Sequence, residues 1–239
     1  MTSYLLSGGI KVRAAERHVV AATMVPALHD VPAWRIRVVP GLIRVEADPR
    51  RFRTTEDPDG RSVHIGCGAA LLNLRLAAAQ LGREPVVRLL PDQAAPTLLA
   101  TVRLAGPHRT APFERLLYAT TLRPVPLPAQ SVDRPPARSV LNELVEAARV
   151  EGTTLALTVI PEGQAGPNGT LTAALSTRGD GPQAWLRTGQ AVQRVILTAA
   201  ARAVAASVSG EFPDKESGRL PEHGDFHQLT LRLTRSTTH

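Results

Sequence analysis

Apolar and polar residues alternate over Trp34–Val39 and again over Leu42–Ala47, with Pro40-Gly41 between them. A period of two predicts two strands, and the Pro-Gly pair predicts a tight hairpin joining them. The pattern then changes. Val63–Leu81 is apolar nearly all round and Gly82 follows it as a stop, which predicts a helix buried on every side. Ahead of the hairpin, Ala14, Ala15, Val19, Ala22 and Thr23 fall near one face of a helix over Lys11–Thr23, which Pro26 ends or kinks. Beyond the long helix, Pro85–Leu90 and Leu98–Leu104 read as strands, and Phe113–Thr120 as a short helix.

The stretch LRPVPLPAQSVDRPPARS (122–139) is too rich in proline to continue a helix and reads as an extended connector. The pattern resumes after it. Val140–Val150 predicts a helix, Thr153–Ile160 and Leu171–Thr177 predict strands, and PEGQAGPNG (161–169) predicts the loop between them. Ala184–Ser207 predicts one long helix, with Val192, Val195, Ile196, Ala199, Ala203 and Ala206 towards the core. His227–Leu233 predicts a last strand. One theme is thus stated twice: a first half over 1–121, a connector over 122–139, and a second half over 140–239. The fold class expected is α+β, with long buried helices packed on mainly antiparallel sheets.

Composition narrows the function classes. Aromatic residues make up only 3% of the 239 residues, so the core must be built from Ala, Leu and Val. The net charge of +7 rests on arginine, since lysine occurs only at Lys11 and Lys215. These arginines are dispersed and interleaved with acids, and aromatics for stacking bases are scarce; specific nucleic-acid binding is disfavoured. The longest apolar run, Ala69–Leu81, is interrupted by Asn73, Arg75 and Gln80, and the N-terminus lacks the layout of a secretory signal. The expectation is a soluble, cytoplasmic protein with no membrane partner. A single cysteine, Cys67, excludes an internal disulfide and a thiolate-rich metal site.

Four segments carry a resemblance. The run DPDGRSVHIGCGAALLNLRLAAAQLGREPVVRLLPD (57–92) resembles the Acg family, actinobacterial members of the FMN-dependent nitroreductase superfamily. The run WLRTGQAVQRVILTAAARAVAAS (185–207) resembles that family's second long helix. VPALHDVPAW (25–34) lies where the family has A-P-S-x-H-N-x-Q-P-W, and LLYA…DRP (116–135) brackets its R-R-x-T-N-R segment. The resemblance implies two nitroreductase-like halves fused in one chain, FMN at their junction, and NAD(P)H as reductant.

Position by position, the flavin contacts implied by that resemblance are altered. His29 and Trp34 stand where the family has His and Trp, but Asp30 replaces an Asn and Pro32 a Gln. An ionised Asp only accepts hydrogen bonds, and its charge opposes an anionic reduced flavin. In the second motif Arg123 keeps the first arginine, while Pro124, Pro128 and Ala129 stand where further arginines are expected. A charge-assisted bond contributes about 1.5–3 kcal/mol, so losing two or three removes roughly 3–9 kcal/mol of phosphate affinity. Arg187 and Gln190, near the start of the second long helix, are the remaining candidate cofactor contacts; equally they only begin that helix. The loop 161–169 is also far shorter than the family's lid segment. A protein of this lineage with no cofactor expected is implied, a pseudoenzyme that assembles as a homodimer or with a flavin-bearing relative. The alternative is an FMN-dependent NAD(P)H oxidoreductase that holds flavin through other contacts or a dimer partner.

Three further constellations are weaker. His29-Asp30 suggests a dyad, but neighbours on an extended segment point apart and no nucleophile-elbow pattern accompanies them. His223 and His227 flank Gly224-Asp225, a set that fits a metal or a chance surface cluster. Gly66-Cys67-Gly68 suggests a reactive thiol, yet packing is the better reading, with the glycines serving a close helix approach. No catalytic or metal residue is assigned.

Overall fold

The computed structural model describes residues 34–50, 52–55, 57–123, 136–160, 170–209 and 225–235, together with His18 and Ala21. The predicted helix over Lys11–Thr23 and the connector after Arg123 therefore lie mostly outside the described residues. His18 and Ala21 are helical and buried.

The first half contains β1 (Trp34–Val39), β2 (Leu42–Ala47), α1 (Arg61–Gln80), β3 (Arg83–Leu89), β4 (Leu98–Pro107) and α2 (Pro112–Thr121). The second contains α3 (Arg138–Val150), β5 (Thr154–Ile160), β6 (Thr170–Thr177), α4 (Pro182–Ala201), β7 (Val204–Ser209) and β8 (Phe226–Arg235). Each half forms a four-stranded sheet, in order β1-β2-β4-β3 and β5-β6-β8-β7, with every pairing antiparallel. The repeat is closer than the hydropathy pattern indicates: both halves run strand-strand-helix-strand-strand in the same sheet order.

One expectation is corrected. The helix predicted over Ala184–Ser207 ends at Ala201, and the strand β7 follows it. Ala203 is exposed and takes a φ of 54° between the two. In the first half Gly82, with a φ of 71°, turns the chain from α1 into β3 at the same place. Glycine takes that conformation freely and announces it; alanine is the best helix former and conceals it. The place left beside β8 for a fourth strand decides the outcome against local propensity.

The two long helices run side by side in the same direction through the middle of the molecule. His64 meets Trp185, Gly68 meets Gly189, and Asn73 meets Gln193. Gly68 and Gly189 are each the eighth residue of a helix of 20 residues. A Cβ on Gly68 would run into the Leu186 carbonyl oxygen, and one on Gly189 would lie 2.8 Å from Gly68 Cα. The helices touch backbone to backbone here, which requires glycine on both.

That approach lets the halves exchange side chains. Ile65 of α1 packs in the second core with Val192, Val195, Leu229 and Leu231. Leu186 of α4 packs in the first core with Cys67, Leu71, Leu99 and Val102. Both are fully buried, and each contributes about 1.5–3 kcal/mol by leaving water. A third cluster, Leu72, Leu76, Leu117 and Leu197, ties α2 to both helices. By length and apolar composition α1 passes as a membrane-crossing helix, but all its residues except Gly66, Arg75 and Gln80 are buried inside the fold.

Outward, the sheets differ. One register row of the first sheet reads Arg37, Arg44, Thr101, Arg88 across its four strands. The corresponding row of the second reads Thr158, Thr172, Arg232, Ser207.

Candidate functional site at the seam between the halves

Polar side chains gather along the seam of α1 and α4 at three levels. The first lies at the two helix N-termini. Asp57 precedes α1, and its Oδ2 accepts from Ser62 N at 3.1 Å and from the Ser62 hydroxyl. Asp180 precedes α4, and its Oδ1 accepts from Trp185 Nε1 at 2.6 Å. A carboxylate before a helix suits the positive end of the helix dipole.

Arg61 crosses between the halves at this level. Its Nη2 donates to the His227 carbonyl at 3.0 Å and to Gln228 Oε1 at 2.8 Å, and lies 3.8 Å from Asp180. Burial lowers the Arg61 pKa, with Asp180 opposing that shift. Gln228 in turn donates to Thr177 Oγ1 at 2.8 Å. His64 sits edge-on to Trp185, ring centroids 5.5 Å apart, and its Nδ1 lies 2.5 Å from the Gly60 carbonyl. A carbonyl only accepts, so Nδ1 carries the proton. Burial lowers the pKa of His64 and of His227.

The second level is a single buried amide pair. Gln193 Nε2 donates to Asn73 Oδ1 at 3.1 Å. Asn73 Nδ2 is buried and has no partner among the described residues.

The third level is ionic. Glu151, just past α3, has a side chain 5% exposed. Its Oε2 accepts from Arg75 Nη1 at 2.6 Å, and its Oε1 accepts from Arg194 Nε at 2.7 Å. Arg75 Nη1 also donates to Gln190 Oε1 at 2.8 Å. One carboxylate thus anchors a cation from each long helix. Asn73 and Arg75, visible in the sequence as interruptions of an apolar run, are the signal that such a network exists. Nothing local reveals that their partners lie in the other half.

The candidate cofactor residues are distributed as follows. His29 and Asp30 lie outside the described residues. Trp34 is half-buried in β1, with its indole over Gly66 of α1. Arg123 is exposed just beyond α2. Arg187 is exposed, its side chain beside Gly152, and Gln190 is buried in the Glu151 network one helical turn on. Arg187 and Gln190 therefore share a neighbourhood at the α3–β5 junction; no contact among the described residues joins Trp34 or Arg123 to them. Thr188 donates to the Ala184 carbonyl within its own helix, and Gly189 is consumed by the helix approach.

The other sequence candidates have structural roles or lie outside the described residues. Cys67 is fully buried and burial raises its pKa well above the ordinary thiol value, so it packs and does not react. Gly68 serves the close helix approach expected of it. His227 Nε2 lies 3.0 Å from Thr230 Oγ1, while His223 is outside the described residues.

No family model matches the chain. Over 81 residues it is 35% identical to two proteins named as NAD(P)H nitroreductases, from Mycobacterium tuberculosis strains CDC 1551 and H37Rv. That stretch is 34% of this chain, and the chain spans only 24% of the length of these relatives. A crystal structure from Anabaena variabilis described as a nitroreductase superposes on 82% of this chain and 69% of its own, with a TM-score of 0.52 and 13% identity. The chain is similar to nitroreductases in a third of its sequence, and the α+β fold of its two repeated halves is nitroreductase-like.

Proposed function

We propose that this chain is a shortened, Acg-like protein of the nitroreductase fold that does not hold FMN through the inherited contacts. It serves as a non-catalytic binding or assembly subunit, as a homodimer or beside a flavin-bearing relative, in the cytoplasm. The observation that carries the proposal is the engagement of Gln190. Its carbonyl oxygen accepts from Arg75, and both arginines at that level, Arg75 and Arg194, are held in place by the one Glu151 carboxylate. A phosphate dianion needs cations that are free to turn towards it. The described residues do not fit such a group. Of the candidate contacts, Gln190 is committed internally, Arg187 and Arg123 are joined by no contact among the described residues, and Pro124, Pro128 and Ala129 bear no charge. FMN, when bound by a protein, supplies hydride chemistry; no step through it is assigned to these residues.

The test is direct. The purified chain is mixed with FMN, desalted, and read for the visible flavin band, with titration calorimetry alongside. The expected result is no retained flavin and a dissociation constant weaker than about 100 µM. Stoichiometric flavin that NAD(P)H reduces would establish the second reading, an FMN-dependent oxidoreductase with other contacts. The 35% identity to proteins named as NAD(P)H nitroreductases favours that reading.

A further inference from the structure

The outer face of the first sheet carries five arginines: Arg35, Arg37, Arg44, Arg88 and Arg103. Three are answered within the sheet. Arg35 lies 3.0 Å from Asp48, and Arg37 and Arg44 lie 3.2 and 3.0 Å from Glu46. Arg88 and Arg103 have no acidic partner among the described residues. The register places them together: Arg88 pairs with Thr101, and Val86 pairs with Arg103. They are diagonal neighbours on adjacent antiparallel strands, about 7–8 Å apart at the backbone, within reach of one ligand.

Around them opens a cleft of about 580 Å³, whose lining mixes the polar Arg88, Arg103 and Thr101 with the apolar Leu42, Val86 and Leu98. That volume falls in the range of roughly 300–1,000 Å³ typical of small-molecule sites. Two uncompensated guanidinium groups repel each other, and a dianion between them removes the repulsion while taking forked hydrogen bonds from both. The Thr101 hydroxyl adds a donor, and the leucines accept a hydrocarbon.

We propose that this cleft binds a phosphate monoester carried on a small apolar body. The occupant is a free, soluble molecule, because a cleft of about 580 Å³ is of the size that takes a headgroup and its small hydrocarbon together. The same headgroup chemistry occurs in a phosphatidate membrane, but there the hydrocarbon stays in the bilayer and leaves the apolar lining unused. Nucleic acid offers phosphates too, yet among the described residues this sheet face presents no aromatic ring on which a base could stack. The cleft lies on the side of the sheet away from α1, so it is independent of whether the seam holds flavin.

The experiment is calorimetric titration of the full chain with octyl phosphate below its micellar concentration. Octanol, inorganic phosphate, phosphatidate vesicles and duplex DNA serve as comparison probes. The expected result is one site for octyl phosphate, with octanol and inorganic phosphate each at least about tenfold weaker. The pair Arg88→Gln with Arg103→Gln weakens octyl phosphate about tenfold or more at an unchanged melting temperature. Arg232→Gln, on the outer face of the other sheet, leaves it unaltered. Absence of octyl phosphate binding overturns the proposal. So does equal affinity in the double variant, equal binding of octanol, or tighter binding to the vesicles or to DNA.

Discussion

The two sheets share a strand order and a central helix of 20 residues, and differ on the faces turned to solvent. Inward, they are close copies: each helix offers its eighth residue as a glycine, and each lends its fifth, Ile65 or Leu186, to the other core. Outward, the row Arg37, Arg44, Thr101, Arg88 faces one solvent boundary, and the row Thr158, Thr172, Arg232, Ser207 faces another. The likeness belongs to what the seam requires, and the difference to what each face can bind. A repeated unit keeps its joint because both copies must fit it at once. Its outer faces are free to diverge, since neither touches the other.

Removing the ionic tie between the halves should cost most. Glu151→Gln leaves Arg75 and Arg194 facing each other with no carboxylate, and should lower unfolding stability by about 3 kcal/mol in urea. Arg149→Ala, which breaks an exposed pair with Glu146, should give no measurable change. A small effect of Glu151→Gln would mean that water already reaches the network.

The glycine contact tests the likeness itself. Gly68→Ala and Gly189→Ala each place a methyl against partner backbone, and each should cost about 2 kcal/mol despite alanine's better helix propensity. Equal losses sharpen the comparison; unequal losses break it. The helix exits offer a third variant. Ala203→Gly should raise stability by roughly 1 kcal/mol, because Ala203 already holds the left-handed conformation that Gly82 holds in the other half.

The acid limb is set at the seam. His64 and His227 have lowered pKa values because they are buried, so the unfolded chain binds more protons below pH ~6.5. Their contribution is present above that value and lost as pH falls towards their folded values; urea midpoints should drop between about pH 7 and pH 5, less so in His64→Asn. His108 has the opposite sign. Its hydrogen bond to Glu114, with Glu84 also beside it, raises its pKa. Its contribution is therefore present below pH ~6.5 and fades as pH rises through the folded value, and His108→Ala should destabilise at about pH 6 and be neutral at about pH 9. Smaller than these, Arg37→Thr with Arg44→Thr, which copies the second sheet's row into the first, should alter stability by under about 0.5 kcal/mol.

How much of this the sequence displays follows from how local each determinant is. The β1–β2 hairpin is legible to the residue, because alternation and Pro40-Gly41 are both local signals. The buried character of α1 and its stop at Gly82 are legible for the same reason. The strand β7 is hidden, since Ala203 does silently what Gly82 does openly. The exchange of Ile65 and Leu186 cannot be read from hydropathy, which says that a residue is buried and not in which core. At the candidate site, Asn73, Arg75 and Gln190 stand out as polar residues in apolar helices, but their partnership depends on chain segments that meet only in the folded state. Trp34 lies against α1, and Arg187 and Gln190 belong to the junction of α3, β5 and α4.

The seam also dictates a timetable. Asn73 and Gln193 are 120 residues apart in the chain. At a ribosomal pace of about 5–20 residues per second, α1 waits roughly 6–24 s after its own synthesis before α4 exists to cover it. Throughout that interval a helix apolar enough to pass for a membrane segment has one flank bare. The nascent first half is then a natural client for chaperones, and translation slowed between the halves should cost soluble yield more than the same delay after residue 201.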